Sequence, residues 1–105
     1  MKLLTKSIKN KMYKYMQTEE LELSPSEIKV PLKLFCPFNG WEWYAYEIDE
    51  NDDICFGWVK GIFPELGYFS LKELSMQIQR GVPMIERDLY WDPKTTLSEV
   101  YELTK

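Results

Sequence analysis

Residues 28–48 read IKVPLKLFC, PFNG, WEWYAYEI: two runs of alternating side chains joined by a turn that contains Asn39-Gly40. No other stretch constrains the fold as strongly. Successive side chains of an extended backbone point to opposite faces. Ile28, Val30, Leu32, Leu34 and Cys36 are therefore expected on one face, with Lys29, Pro31, Lys33 and Phe35 on the other. Beyond the turn, Trp41, Trp43 and Ala45 share one face and Glu42, Tyr44 and Tyr46 the other. Asn-Gly between two such runs is the strongest short-range hairpin signal. Pro31 has no amide hydrogen to give a ladder, so it belongs at an edge or at an unpaired position. DENDD turns the chain again, and ICFGWVKG supplies a third strand in which Gly57 marks a bulge or a close approach. The spacing predicts an antiparallel meander over residues 28–60.

Helical spacing flanks this region. Over residues 5–17, Leu4, Ile8, Met12, Tyr15 and Met16 fall on one side of a wheel, with Thr5 or Ser7 as the cap. Residues 18–27, TEELELSPSE, read as an acidic loop broken by Pro25. In SLKELSMQIQRG, Leu71, Leu74 and Ile78 recur at helical intervals, and Ser70 with Glu73 has the spacing of a capping box. PELGYFS is read as its lead-in, with Gly67 allowing a turn and Phe69 setting the entry angle; Gly81 is expected to end the helix and Pro83 to stop it resuming. A short strand is expected at 88–91 and a turn at Asp92-Pro93. A second capping box, Thr96 with Glu99, opens a short C-terminal helix.

Composition narrows the chemistry. The 105 residues suit one domain, 1–105, with a core large enough to stand without disulfides or metal. Residues 1–16 carry five Lys and no acid, whereas the rest carries eight basic and seventeen acidic residues. The body therefore repels phosphate overall, while the first helix does not. There are two Cys and no His, and no signal-like or membrane-length apolar run. This reads as a cytoplasmic, reducing setting with no membrane association, no cofactor and no metal. Without His, neither Ser70 nor Cys36 nor Cys55 has the base that would make it a nucleophile, so cap and core are the expected roles. Asp49, Asn51 and Asp53 match the opening of a calcium loop, but Ile54 stands where Gly is needed and Lys60 where Glu is needed.

Three groups remain as candidate sites. Glu65 with Glu86 and Asp88 would make carboxylate chemistry if they flanked one groove with Arg87. Tyr44, Tyr46, Tyr68 and Trp91 would anchor a protein partner, or stack bases, if the sheet face carrying them were exposed. A helix covering that face is the competing reading. Lys6, Lys9 and Tyr13, in line with Lys2, form a basic stripe able to meet phosphates; its competing role is a solvated face, or attraction to the acidic body.

WEWYAYEID, CFGWVKG, PELGYFSLKEL and IERDLYWDP occur in this order. The pattern resembles an uncharacterised domain-of-unknown-function family of short proteins carried by plasmids, phages and conjugative elements. The resemblance spans nearly the whole chain and rests on ELGYFSL followed by IERDL. It implies a genetic setting and transfers no activity. It marks Glu65, Gly67, Tyr68, Phe69, Glu86, Arg87 and Asp88 only as motif positions.

The expected fold is α+β, an antiparallel sheet of four to five strands packed by the N-terminal helix and the Ser70-capped helix. The expected function is that of a non-enzymatic accessory protein of a mobile element. It would act by protein–protein binding, against host defence or on replication and transfer machinery. A nucleic-acid-binding module and a small carboxylate-dependent hydrolase are the alternatives. Partner identity and oligomeric state are not written in the sequence.

Overall fold

The computed structural model describes residues 2–15 and 22–105. Met16, expected on the apolar face of the first helix, and the opening of the acidic loop lie outside the described residues. Helix α1 is Lys6–Tyr15, and four strands follow: β1 Leu32–Phe35, β2 Glu42–Ile48, β3 Ile54–Lys60 and β4 Glu65–Ser70. Helix α2 is Leu71–Ser75; β5 Ile78–Gln79 and β6 Val82–Pro83 form a small ribbon; β7 is Glu86–Arg87; α3 is Leu97–Leu103. The main sheet is antiparallel, in the order β4–β3–β2–β1–β7, so the fold is α+β.

Both sheet faces are covered. Leu3 and Met12, with α2's Leu71 and Leu74, pack on Leu32, Leu34, Trp43, Ala45 and Cys55. On the opposite face, Leu97 and Val100 of α3 pack on Tyr44 and Tyr46. The two expected helices thus share one face, and α3 supplies the second layer. Among the described residues, no helix is long and apolar enough to cross a membrane.

The meander forms as the alternation requires, with one departure. Leu32, Leu34 and Cys36 face α1, but Ile28 and Val30 join the α3 cluster instead. Val30, Pro31 and Leu32 are consecutively buried, so the chain changes face at the proline. Upstream of Pro31, the backbone bonds the C-terminal segment: the Val30 amide donates to Thr95 O (2.7 Å), and the Leu97 amide to Ile28 O (2.8 Å). Pro31, unable to donate, stands where one pairing ends and the other begins.

Gly57 satisfies both readings offered for it. The β2–β3 register shifts between Ala45 and Glu47, and a Cβ on Gly57 would lie 1.8 Å from the Tyr44 carbonyl oxygen. Only glycine lets the bulged strand approach so closely.

Three expectations are corrected. PELGYFS is a strand rather than a lead-in: Glu65–Ser70 pairs along its length with β3, and Gly67 stands opposite Gly57 instead of making a turn. The helix after Ser70 stops at Ser75, and Ile78 enters the ribbon. Arg80 (φ 52°) and Gly81 (φ 78°) both occupy the left-handed region, the geometry of a two-residue hairpin turn rather than a helix end. Strand β7 lies at 86–87 rather than 88–91. Asp88 Oδ1 accepts from the Tyr90 amide (2.9 Å) and turns the chain there.

Candidate functional site

The carboxylates singled out by sequence separate to opposite ends of the sheet. Glu65 pairs with Val59, Val59 with Trp43, Trp43 with Leu34, and Leu34 with Arg87. Glu65 and Arg87 therefore end the same cross-strand row, four inter-strand steps apart, or about 19 Å. Glu86 is one residue from Arg87, so Glu65, Glu86 and Asp88 do not converge as a carboxylate pair must.

Tyr44 and Tyr46 are core residues, 2% and 6% exposed, rather than surface anchors. Burial raises the Tyr44 phenol's pKa, reinforced by Glu42. Trp91 is half-buried; it donates from Nε1 to Val30 O (2.8 Å) and meets the Tyr44 ring edge-on, closing the α3 layer.

The basic stripe is partly consumed. Lys9 Nζ lies 2.6 Å from Asp52 Oδ2, and the Tyr13 hydroxyl donates to Asp52 Oδ1 (2.5 Å). The hydrogen bond to Asp52 pushes the Tyr13 phenol up to about 12, while Lys9 and then Tyr13 hold the Asp52 carboxyl below its usual range. Lys6 remains exposed. This is the attraction of the helix to the acidic body, localised on one hairpin tip.

Asp49 and Asp53 of that tip are also structural. Asp49 Oδ1 accepts from the Asp53 and Ile54 amides, closing the turn. Asp53 Oδ1 accepts from Ser70 Oγ and the Lys72 amide, fixing the start of α2. Those bonds, the Lys72 amide first, lower the Asp53 pKa. Among the described residues, no group of three His, Cys, Asp or Glu side chains could hold a metal ion.

Two surfaces stand out from this framework. At the β7 edge a chain of opposite charges crosses the sheet. Lys33 Nζ lies 3.4 Å from Asp88 and 3.6 Å from Glu42, and Glu42 lies 3.7 Å from Lys60. Lys33 also sits over the Tyr44 and Trp91 rings, at 5.7 and 5.6 Å.

The other surface is β4. Leu66 and Tyr68 stand on the α3 side, opposite Trp58 and Phe56. The Tyr68 ring lies 4.7 Å from Phe56, which meets the buried Tyr46 edge-on at 5.7 Å. An aromatic row thus runs from the core to a side chain that is 73% exposed. The hairpin entering β4 carries Ile62 and Phe63, both exposed, and is seated by Trp41, whose ring fills the space where a Cβ on Gly61 would be. Sequence reasoning found Glu65 and Tyr68 but missed Leu66, Ile62 and Phe63. The signal for Leu66 was its alternation with Tyr68 ahead of the Ser70 cap.

No match was found among the curated proteins or the solved structures. The model of the family described as "Protein of unknown function (DUF2958)" matches residues 3–105, and the chain belongs to that family.

Proposed function

We propose that this protein is a non-enzymatic accessory protein that binds another protein by accepting an extended segment of it along β4. The carrying observation is the contrast between the two sheet edges. β7 is two residues long and charged, which blunts it. β4 is six residues long, pairs with β3 without a register shift, contains no Lys or Pro, and exposes Leu66 and Tyr68. A long, regular, apolar edge is a template for strand addition: main-chain hydrogen bonds supply affinity, and pockets for alternate side chains supply selection.

The occupant that fits is a partner's uncharged extended segment with alternating apolar residues. Gly67 leaves open space where a Cβ would project, a notch that a large side chain on the incoming strand can cover. A symmetric pairing of two copies centred on Gly67 would leave that notch empty. This favours a foreign segment over self-association. The setting proposed with it, from the sequence resemblance, is the cytoplasm of a cell carrying a mobile element.

Selection of random peptides on the immobilised protein, followed by affinity measurement, tests the reading. Peptides with alternating apolar residues are expected, and the exposed double substitution Leu66→Lys, Tyr68→Glu should weaken them by about 100-fold, as loss of two central apolar contacts does. Unchanged affinity for that variant would overturn the reading.

A further inference from the structure

Folding divides the lysines of α1 between two roles. Lys9 is paired with Asp52, and the Tyr13 hydroxyl is turned to the same carboxylate, so two members of the stripe expected from sequence are spent inside the molecule. The adjoining face of the helix carries Lys6, Ser7, Asn10, Lys11 and Lys14, which fall within about 140° of its circumference. Among the described residues, these five line an open depression of about 480 Å³. Lys11 is half-buried and the other four are exposed. Among the described residues, no ion pair or hydrogen bond engages any of the five side chains. Helix stability does not account for the arrangement. Lys6 stands in a first turn that holds no acid, where a cation opposes the helix dipole, and Lys11 and Lys14 repel across one turn. The dipole favours Lys14 alone, in the last turn.

We propose that this face of α1 binds the sugar–phosphate backbone of duplex nucleic acid, without reading its sequence. Lys6 and Lys14 span about 12 Å of helix. Phosphates of one strand follow one another about every 3.4 Å along a duplex axis, so about four of them lie beside that length. The face offers donors, namely three ammonium groups, a hydroxyl and a carboxamide, to a strand that offers acceptors. It is too open to bury a small ligand, so affinity has to come from a repeating charge that meets several lysines at once. Among the described residues, no aromatic side chain lines the depression, so unpaired bases find no stacking platform there. That favours a duplex over a single strand. The acidic body beyond residue 16 repels the same ligand, which keeps binding weak and confines it to this face. This assignment does not depend on β4.

Fluorescence anisotropy of a labelled mixed-sequence DNA duplex, titrated with the full chain between about 20 and 80 mM salt, tests it. Three phosphate contacts give a slope of about −2.7 in log K against log salt, a loss of about 40-fold across that range. Lys14→Gln should reduce the slope by about 0.9, and Lys6→Gln combined with it should leave about −0.9. Both side chains are exposed and unpaired, so these variants should keep the urea midpoint of the parent. Lys105→Gln removes one charge just after α3, which packs on the opposite sheet face from α1, and should leave the slope unchanged. A single strand of the same length and vesicles containing phosphatidylserine complete the comparison. Absence of saturable binding at the lower salt, equal effects of Lys14→Gln and Lys105→Gln, tighter binding of the single strand, or binding of the vesicles in place of the duplex would each overturn the assignment.

Discussion

Asp53 Oδ1 accepts two hydrogen bonds at once, from Ser70 Oγ at 2.7 Å and from the Lys72 amide at 2.8 Å. Ser70 Oγ in turn accepts from the Glu73 amide at 3.1 Å. The tip of the β2–β3 hairpin therefore caps α2 jointly with the helix's own N-cap residue, and so locks the end of β4 to the sheet. Ser70→Ala should cost about 1 kcal/mol, as loss of an N-cap does. Asp53→Ala should also lower the urea midpoint. Because the two side chains share one network, the double variant should lose less than the sum of the singles. Additive losses would show that the caps act independently.

Acid should loosen the same tip. The carboxyls of Asp52 and Asp53 have folded-state pKa values below the ordinary one, through Lys9 and Tyr13 for the first and the Lys72 amide and Ser70 for the second. A carboxyl depressed in the folded state binds protons more readily when unfolded. Its contribution is in full force above the unfolded value, about 3.9, and is lost as pH falls through the lower folded value. Urea midpoints should fall with pH in that window, and less steeply for Asp52→Asn and Asp53→Asn.

The alkaline side has the opposite sign. The Tyr13 pKa is raised to about 12, so its neutral form contributes stability below pH ~10 that disappears as pH rises through 12. Tyr13→Phe should remove that arm of the profile. Midpoints measured across both arms check the two signs together.

Gly57 and Gly67 stand opposite each other in the β3–β4 ladder, yet they should respond differently to a methyl group. At Gly57 an added Cβ meets the Tyr44 carbonyl oxygen at 1.8 Å, against backbone that cannot step aside. Gly57→Ala should destabilise by about 3 kcal/mol or more, the range of overpacking that displaces backbone. At Gly67 nothing lies within 4 Å, and Gly67→Ala should be neutral or stabilise by about 0.5 kcal/mol through the unfolded chain. Chemical denaturation of the pair checks the asymmetry.

The thiols should be inert in the folded protein. Cys36 and Cys55 are both buried and free, and burial pushes the Cys55 thiol up to about 12, aided by Asp49 and Asp53. Because the thiolate is the reactive form, a disulfide reagent at neutral pH should label neither residue at a rate above that of global unfolding. It should titrate two thiols in urea.

Local signals in the sequence became structure wherever the interaction is local. The Asn39-Gly40 turn, the Thr96–Glu99 capping box and the Ser70 cap each depend on residues within four positions, and each forms. What the sequence left hidden depends on distant pairing. Tyr44 and Tyr46 alternate correctly, but only Leu97 and Val100, more than fifty residues on, decide that their face is buried. Leu71, Leu74 and Ile78 fit a helical period, but Ile78 faces Pro83 across a turn whose Arg80-Gly81 pair outweighs the period. Glu65 and Glu86 look like partners by charge alone. The strand order, which no short window contains, puts three strands between them.

Amide hydrogen exchange along β4 tests the docking account most directly. In the free protein, those amides of Leu66–Phe69 that point away from β3 should exchange within seconds, as solvent-facing backbone does, and addition of a selected peptide should protect them while leaving α1 and β7 unchanged. Protection of those amides without peptide, rising with protein concentration, or protection by peptide at some other element, would contradict it.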